Sequence, residues 1–343
     1  MKKTWLSLVG LGISIFLLWW VLKGEDYRDI IEKISNANLW YLFLSIFVGT
    51  LGYLIRALRW KLLLEPMRME TSLRARFASV SMGFAANNLF PARIGEVVRA
   101  VSLGRLESIS TSGVVGSMVV ERFLDSVAVF SMLLIVVMLP SFPTTENIWS
   151  GVGGSLMLST LEILAVLFVF LICFVLFPGF FLNVARKLLL RRKNHLGKRI
   201  LTGLESFLNS LSLLRDPQLL SKALVWSFGF WIWHAWSFWL GFRAFGIEEN
   251  FVAAIFTMGM VGLAVAIPAG PGFFGTFQLG AMIALNGVFN ITEGTTLAFA
   301  FGYHLGGFFP ITFIGIYYAW KFGLSMKKIG SRGLDGGSEL IQQ

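Results

Sequence analysis

Apolar runs of membrane-crossing length return along this chain at about 4–22, 39–64, 113–139, 156–178, 221–245 and 295–321. A helix needs about 20 predominantly apolar residues to cross the hydrocarbon core. Lipid offers the backbone no hydrogen-bond partner, so each run is confined to helix. The 343 residues are 56% hydrophobic and 14% charged, against roughly a quarter charged in soluble domains. The expectation is an all-α polytopic membrane protein with no sizeable soluble domain.

The formal net charge is +10, yet the basic residues gather in short loops, as the positive-inside rule expects. No zinc-ligand spacing or aromatic-basic motif accompanies them, which excludes nucleic acid as a partner. Lys2 and Lys3 set the N-terminus in the cytoplasm, and the following run, Trp5 to Leu22, reads as an uncleaved anchor. The second run returns to Arg68, Arg74 and Arg76, whereas residues 140–155 carry only Glu146 and suit the outer side. Between Phe180 and Leu204 lie seven basic residues and no acid, and Lys321, Lys327, Lys328 and Arg332 follow the last run. Six full crossings then balance in the plasma (inner) membrane, with both termini cytoplasmic. Residues 183–215 read as a cytoplasmic amphipathic segment and 330–343 as a flexible tail. Cys173 is the sole cysteine, so disulfides and thiolate metal sites are excluded. No metal or cofactor is expected, and no Walker loop is present.

Two apolar stretches, 77–104 and 251–290, fall outside the six crossings. Each contains Pro-Ala-x-x-Gly after a Met-Gly: Pro91 to Gly95 behind Met82-Gly83, and Pro268 to Gly272 behind Met258-Gly259. By the loop charges the first stretch begins and ends inside, and the second begins and ends outside. Each is expected to be a re-entrant hairpin, the two dipping from opposite faces. Pro91 and Gly95 break the first; Pro268, Gly270, Pro271, Gly272 and Gly275 break the second. Paired broken segments of this kind mark the central site of many transporters. The organisation is one transmembrane domain, 1–329, in a pseudo-inverted repeat. The first half is 1–139 with hairpin 77–104, and the second is 156–322 with hairpin 251–290.

A charge within the bilayer is costly, so intramembrane charges are functional candidates. The first hairpin presents Asn87, Asn88, Arg93, Glu96 and Arg99 around its break. Arg93 and Arg99 are expected to form a grip for phosphate, with Glu96 orienting one of them; alternatively, Glu96 only neutralises an arginine. Glu121, Arg122 and Asp125 lie two turns inside the third run, either completing this charge set or locking the bundle. Arg56 and Arg59, near the end of the second run, are expected to snorkel to the interface and meet entering headgroups. The second hairpin has no charge, and Gln278 is among its polar handles. His234 and His304 read as packing residues. No catalytic residues are assigned.

The ordered set Asn87-Asn88-Leu89-Phe90-Pro91-Ala92-Arg93-Ile94-Gly95-Glu96-Val97-Val98-Arg99, then Glu121-Arg122-Phe123-Leu124-Asp125, then Pro271-Gly272-Phe273-Phe274-Gly275-Thr276-Phe277-Gln278 resembles the flippase-like family. That family is named for the transmembrane region of lysylphosphatidylglycerol synthases. The resemblance runs from about Leu39 to Lys321 and implies movement of lipid between leaflets without the synthase's soluble domain. The family's last motif often has Glu where this chain has Gln278, which leaves no carboxylate there for a lysyl headgroup.

The expected function is transbilayer movement, by flipping or scrambling, of an anionic phospholipid, a glycolipid or a polyprenyl phosphate. Glu96, Glu121 and Asp125 are the candidates for proton coupling. Two alternatives stand beside it: a membrane-embedded enzyme on lipid phosphates, and a non-catalytic partner of a cell-envelope lipid enzyme. A second copy of the chain or a lipid-synthesising enzyme is compatible as a partner.

Overall fold

The structure is a computed structural model that describes residues 2–65, 70–91, 93–143, 216–267 and 270–324, with isolated positions between 166 and 184. Apart from those isolated positions, the expected crossing at 156–178 and the segment 183–215 lie outside the described residues, as do the tail 330–343, the break residue Pro268 and most of the loop 140–155. Among the described residues the fold is all-helical.

The helices are α1 (Lys2–Leu22), α2 (Tyr27–Ser35), α3 (Leu39–Leu64), α4 (Leu73–Leu89), α5 (Gly95–Glu107), α6 (Thr111–Val137), α7 (Pro217–Ala244), α8 (Phe251–Ala266), α9 (Thr276–Ala281) and α10 (Glu293–Lys321). Local chemistry sets their starts. Asn38, Ser72, Asp216 and Asn250 accept backbone N–H bonds at the N-termini of α3, α4, α7 and α8, satisfying donors that have no partner within the helix. Pro217 opens α7, where its missing N–H costs nothing. Among the described helices, α3 and α10 combine the length and hydropathy of a membrane crossing unaided. α6 has the length, 27 residues, but Glu121, Arg122 and Asp125 interrupt its apolar character.

Both unassigned stretches are broken at the expected positions. Phe90, held extended by the proline that follows it, caps α4, and Arg93 takes φ +51° before α5 begins at Gly95. Between α8 and α9, Gly272 (φ +69°), Phe273 (φ +61°) and Gly275 (φ +89°) turn the chain. The return arms differ in length. α5 has 13 residues, whereas α9 has six and runs into a π-helical turn at Met282–Asn286. An amphipathic helix absent from the expected plan, α2, occupies the link between α1 and α3 and packs on α10.

The packing scheme of one half recurs in the other. α3 packs on α4 as α7 packs on α8; α4 on α5 as α8 on α9; α5 on α6 as α9 on α10. The halves meet where α3 lies along α7, α4 along α10 and α6 along α8. Backbones touch inside each broken arm. A methyl group on Gly95 would collide with the Gly83 carbonyl and with Asn87, and one on Gly280 would sit 2.6 Å from the Val261 Cα. The paired Met-Gly sequences have different duties, however: Gly83 faces Gly95 of its own arm, while Gly259 faces the Leu133 side chain of α6.

Candidate functional site: a charged cavity beside an aromatic one

The intramembrane charges converge where α3, α5, α6 and α7 meet. Glu121 is fully buried and takes Arg99 in a two-pronged pair, Nη1 to Oε1 at 2.9 Å and Nη2 to Oε2 at 2.6 Å. Its Oε1 also accepts from Arg122 Nη2 at 2.8 Å and from Arg56. Asp125 Oδ1 accepts from Arg59 Nη1 at 2.6 Å and from the Trp231 indole at 3.2 Å. Arg59 Nη1 also donates to Ser227, at 3.0 Å. Aromatic faces carry the guanidiniums: Arg99 lies 3.8 Å from the Trp60 ring centre, and Arg56 and Arg59 lie 4.5 and 5.0 Å from that of Phe230. Arginine suits this setting, because its planar fork meets a carboxylate and stacks on a ring at once.

Arg56 and Arg59 therefore do not snorkel. They are 5% and 1% exposed, because a carboxylate waits within reach on α6. Arg99 is likewise engaged away from the break, on Glu121 rather than on Glu96. Arg93 and Arg99 do not converge: Arg93 sits in the turn with positive φ, so helical spacing does not set its direction. Its guanidinium instead donates to the Val265 carbonyl in the last turn of α8 and lies 5.5 Å from the Phe273 ring centre. Such carbonyls lack helix partners and form the negative end of the helix dipole. One broken arm thereby caps the other.

Asn87, Arg93, Glu96, Arg122 and Asp125 all line one cavity of ≈ 260 Å³. Arg122 is 45% exposed there, and Asp125 Oδ2 has no hydrogen-bond partner among the described residues. Four guanidiniums, of Arg56, Arg59, Arg99 and Arg122, meet two carboxylates, of Glu121 and Asp125; Arg93 and Glu96 balance each other. The region keeps two positive charges in excess, a setting for an anion.

A second cavity, of ≈ 230 Å³, shares Phe84, Trp231, Gly262, Val265 and Phe273 with the first as a common wall. Asn88 and His234 line it, and so does His304. The Asn88 amide donates to the Phe308 carbonyl and to Thr312, at 3.3 and 2.8 Å, tying α4 to α10. His234 Nδ1 contacts the Phe230 carbonyl at 3.0 Å, and His304 stacks on Phe277. Gln278 is fully buried: it accepts the Gly275 N–H at 2.9 Å and stands 3.4 Å from His304 Nδ1. Asn87 does the equivalent work in the other arm, accepting the Gly95 N–H at 2.8 Å. Both amides thus cap the start of a return helix. Among the break residues, Pro91 precedes this capped turn and Pro271 opens the single helical turn Pro271–Phe273. The Gly270 N–H donates to Ser14 of α1 at 2.8 Å.

Sequence reasoning missed Ser227 and Trp231, which bond to the charged cluster, and Val265, whose role rests on its carbonyl. Trp231 stood within a tryptophan-rich helix and carried no mark separating it from its neighbours.

A family model described as the lysylphosphatidylglycerol synthase TM region matches residues 7–315. A UPF0104 membrane protein of Methanothermobacter thermautotrophicus is 23% identical over 340 residues, 96% of this chain and 98% of that relative. A UPF0104 membrane protein of Pyrococcus horikoshii is 31% identical over 138 residues, 39% of this chain and 40% of that one. One from Methanocaldococcus jannaschii is 30% identical over 122 residues, 35% of this chain and 36% of that one. No solved structure matches.

Proposed function

The chain belongs to the lysylphosphatidylglycerol synthase transmembrane-region family, a membrane family related to lipid, and on that premise we propose that it moves an anionic lipid between leaflets. The headgroup enters the space between the two broken arms while the acyl chains stay in lipid. In this reading α4–α5 and α8–α9 are re-entrant hairpins that dip from opposite faces of an inner membrane, within six full crossings and one transmembrane domain. The observation that carries it is the cavity in which Arg122 and Arg93 face open space beside Glu96 and Asp125, with a net positive field behind them. Arg122 and Arg93 bind the phosphate through charge-assisted bonds. Arg56, Arg59, Arg99 and Glu121 hold the field in place from behind. Glu96 and Asp125 are the carboxylates placed to exchange a proton with the cavity.

Reconstitution into liposomes with a tail-labelled anionic lipid tests this. Arg122→Gln is expected to lower leaflet exchange about tenfold, since a hydrogen bond to a charged group contributes roughly 1.5–3 kcal/mol. Arg122→Lys is expected to rescue little, having the charge without the fork. Exchange at the wild-type rate in an Arg93→Gln/Arg122→Gln variant would sink the proposal. A changed lipid mass would assign an enzyme instead.

A further inference from the structure

We infer that the second cavity selects a lipid whose phosphate carries a neutral, hydroxyl-rich group, such as a sugar or another polyol. The inference rests on the transport reading above and names the substrate class for the same site.

The lining is largely apolar, but it holds polar groups that an acyl chain would leave without partners. Thr50 Oγ1 is buried without a hydrogen-bond partner among the described residues, and Tyr53, with its hydroxyl, is also in the lining. Asn88 uses its amide N–H groups on α10, which leaves its carbonyl oxygen as an acceptor. His234 Nδ1 must donate, because its partner is a carbonyl; in the neutral ring Nε2 is then an acceptor. Hydrocarbon would leave all four groups unsatisfied, at about 1–3 kcal/mol for each buried one. A group bearing several hydroxyls, each both donor and acceptor, satisfies them together.

The walls point the same way. The lining is rich in aromatic rings, Trp231, Phe238, Phe273 and Phe277 among them, and holds no Asp, Glu, Lys or Arg among the described residues. A lysyl or other ammonium-bearing headgroup would find no carboxylate, and Gln278 is turned to Gly275 and His304. The ring group must also lie beside the phosphate. The common wall provides that adjacency: Phe273 faces both cavities, and Arg93 stacks against it from the charged side.

The test uses the full chain in proteoliposomes with three tail-labelled lipids of matched acyl chains: phosphatidic acid, phosphatidylinositol and lysylphosphatidylglycerol. Phosphatidylinositol is expected to cross about tenfold faster than the other two, and Thr50→Val/Tyr53→Phe to bring its ratio to phosphatidic acid close to one. Equal rates for the three, or fastest movement of the lysyl lipid, overturns the selection while leaving transport intact. No movement of any lipid by a protein that melts cooperatively overturns the transport reading and this inference with it. The wild-type comparison decides even where the double variant fails to fold.

Discussion

At the break between α4 and α5 the chain carries Arg93 and, three residues on, Glu96, whereas from Phe251 to Thr292 around the other break no side chain is charged. The backbone problem is nonetheless solved alike at both. A side-chain amide, of Asn87 or Gln278, caps the return helix, and a glycine, Gly95 or Gly280, lets two backbones touch. What differs is the field. The first half gathers four arginines and two acids behind its break, and the second half puts Ser237, Tyr303 and His304 in the matching region, with Ser237 and Tyr303 2.7 Å apart. Architecture and electrostatics are thus separable in this fold. The charges come from the first half alone, the neutral hydrogen-bonding groups of the second cavity come from both halves, and Arg93 links the arms by reaching the end of α8.

The largest expected effect falls on the charged half. Glu121→Gln removes the acid on which Arg56, Arg99 and Arg122 converge, and breaking a buried ionic set from one side costs about 3–5 kcal/mol. Gln278→Ala leaves the Gly275 N–H without its partner, at about 1–3 kcal/mol, and removes the longer contact with His304 Nδ1. Melting in detergent should therefore rank wild type, Gln278→Ala and Glu121→Gln in falling order. If Glu121→Gln melts with the wild type, the cluster is no lock and its arginines are free for ligand.

A smaller effect separates Gly95, which packs on Gly83 of the first Met-Gly, from Gly259 of the second. The Cβ added by Gly95→Ala meets the Gly83 carbonyl, which is backbone and fixed by helix α4; overpacking of this kind costs about 1–3 kcal/mol. Gly259→Ala meets the end of the Leu133 side chain at 2.7 Å, which can turn away. A loss for Gly259→Ala as large as for Gly95→Ala would mean that both glycines hold their arms shut, and the repeat would be closer than the packing indicates.

Both breaks were legible because Pro91, Pro271 and the glycines act locally, through φ and a missing N–H. The membrane class was legible from apolar length, and the family match over residues 7–315 agrees with it. The charged residues stood out for their cost, but their pairing did not. Arg56 and Glu121 are 65 positions apart, and spacing along one helix says nothing of a carboxylate on another. Arg93, Glu96 and Arg99 share a helical spacing, yet Arg93 precedes the helix. The regular period was therefore the wrong guide. The amphipathic α2 was readable in principle, from Asp26 as its cap and Ile30 and Ile34 on one face, but the longer apolar runs around it dominated.

The smallest effect lies at the end of the molecule away from the charged cluster, where α10 begins against α2. A hydrogen bond with the Glu293 carboxyl, then burial, then repulsion from Glu293 and Asp29 push the Glu25 carboxyl up to about 7. A carboxyl raised in the folded state favours folding when protonated, so its contribution is complete below pH 4.5 and declines as pH rises toward 7. Above that it is gone, and two negative groups confront each other where α1 hands over to α2. Melting temperature is therefore expected to fall modestly between pH 4.5 and 7, and Glu25→Gln to flatten that slope, since glutamine stays neutral. The matching substitution in the charged cluster, Glu121→Gln, lowers stability at every pH in this window. A slope that survives in Glu25→Gln would place the titrating group elsewhere, and the assignment of this pH dependence to the link between α1 and α2 would fail.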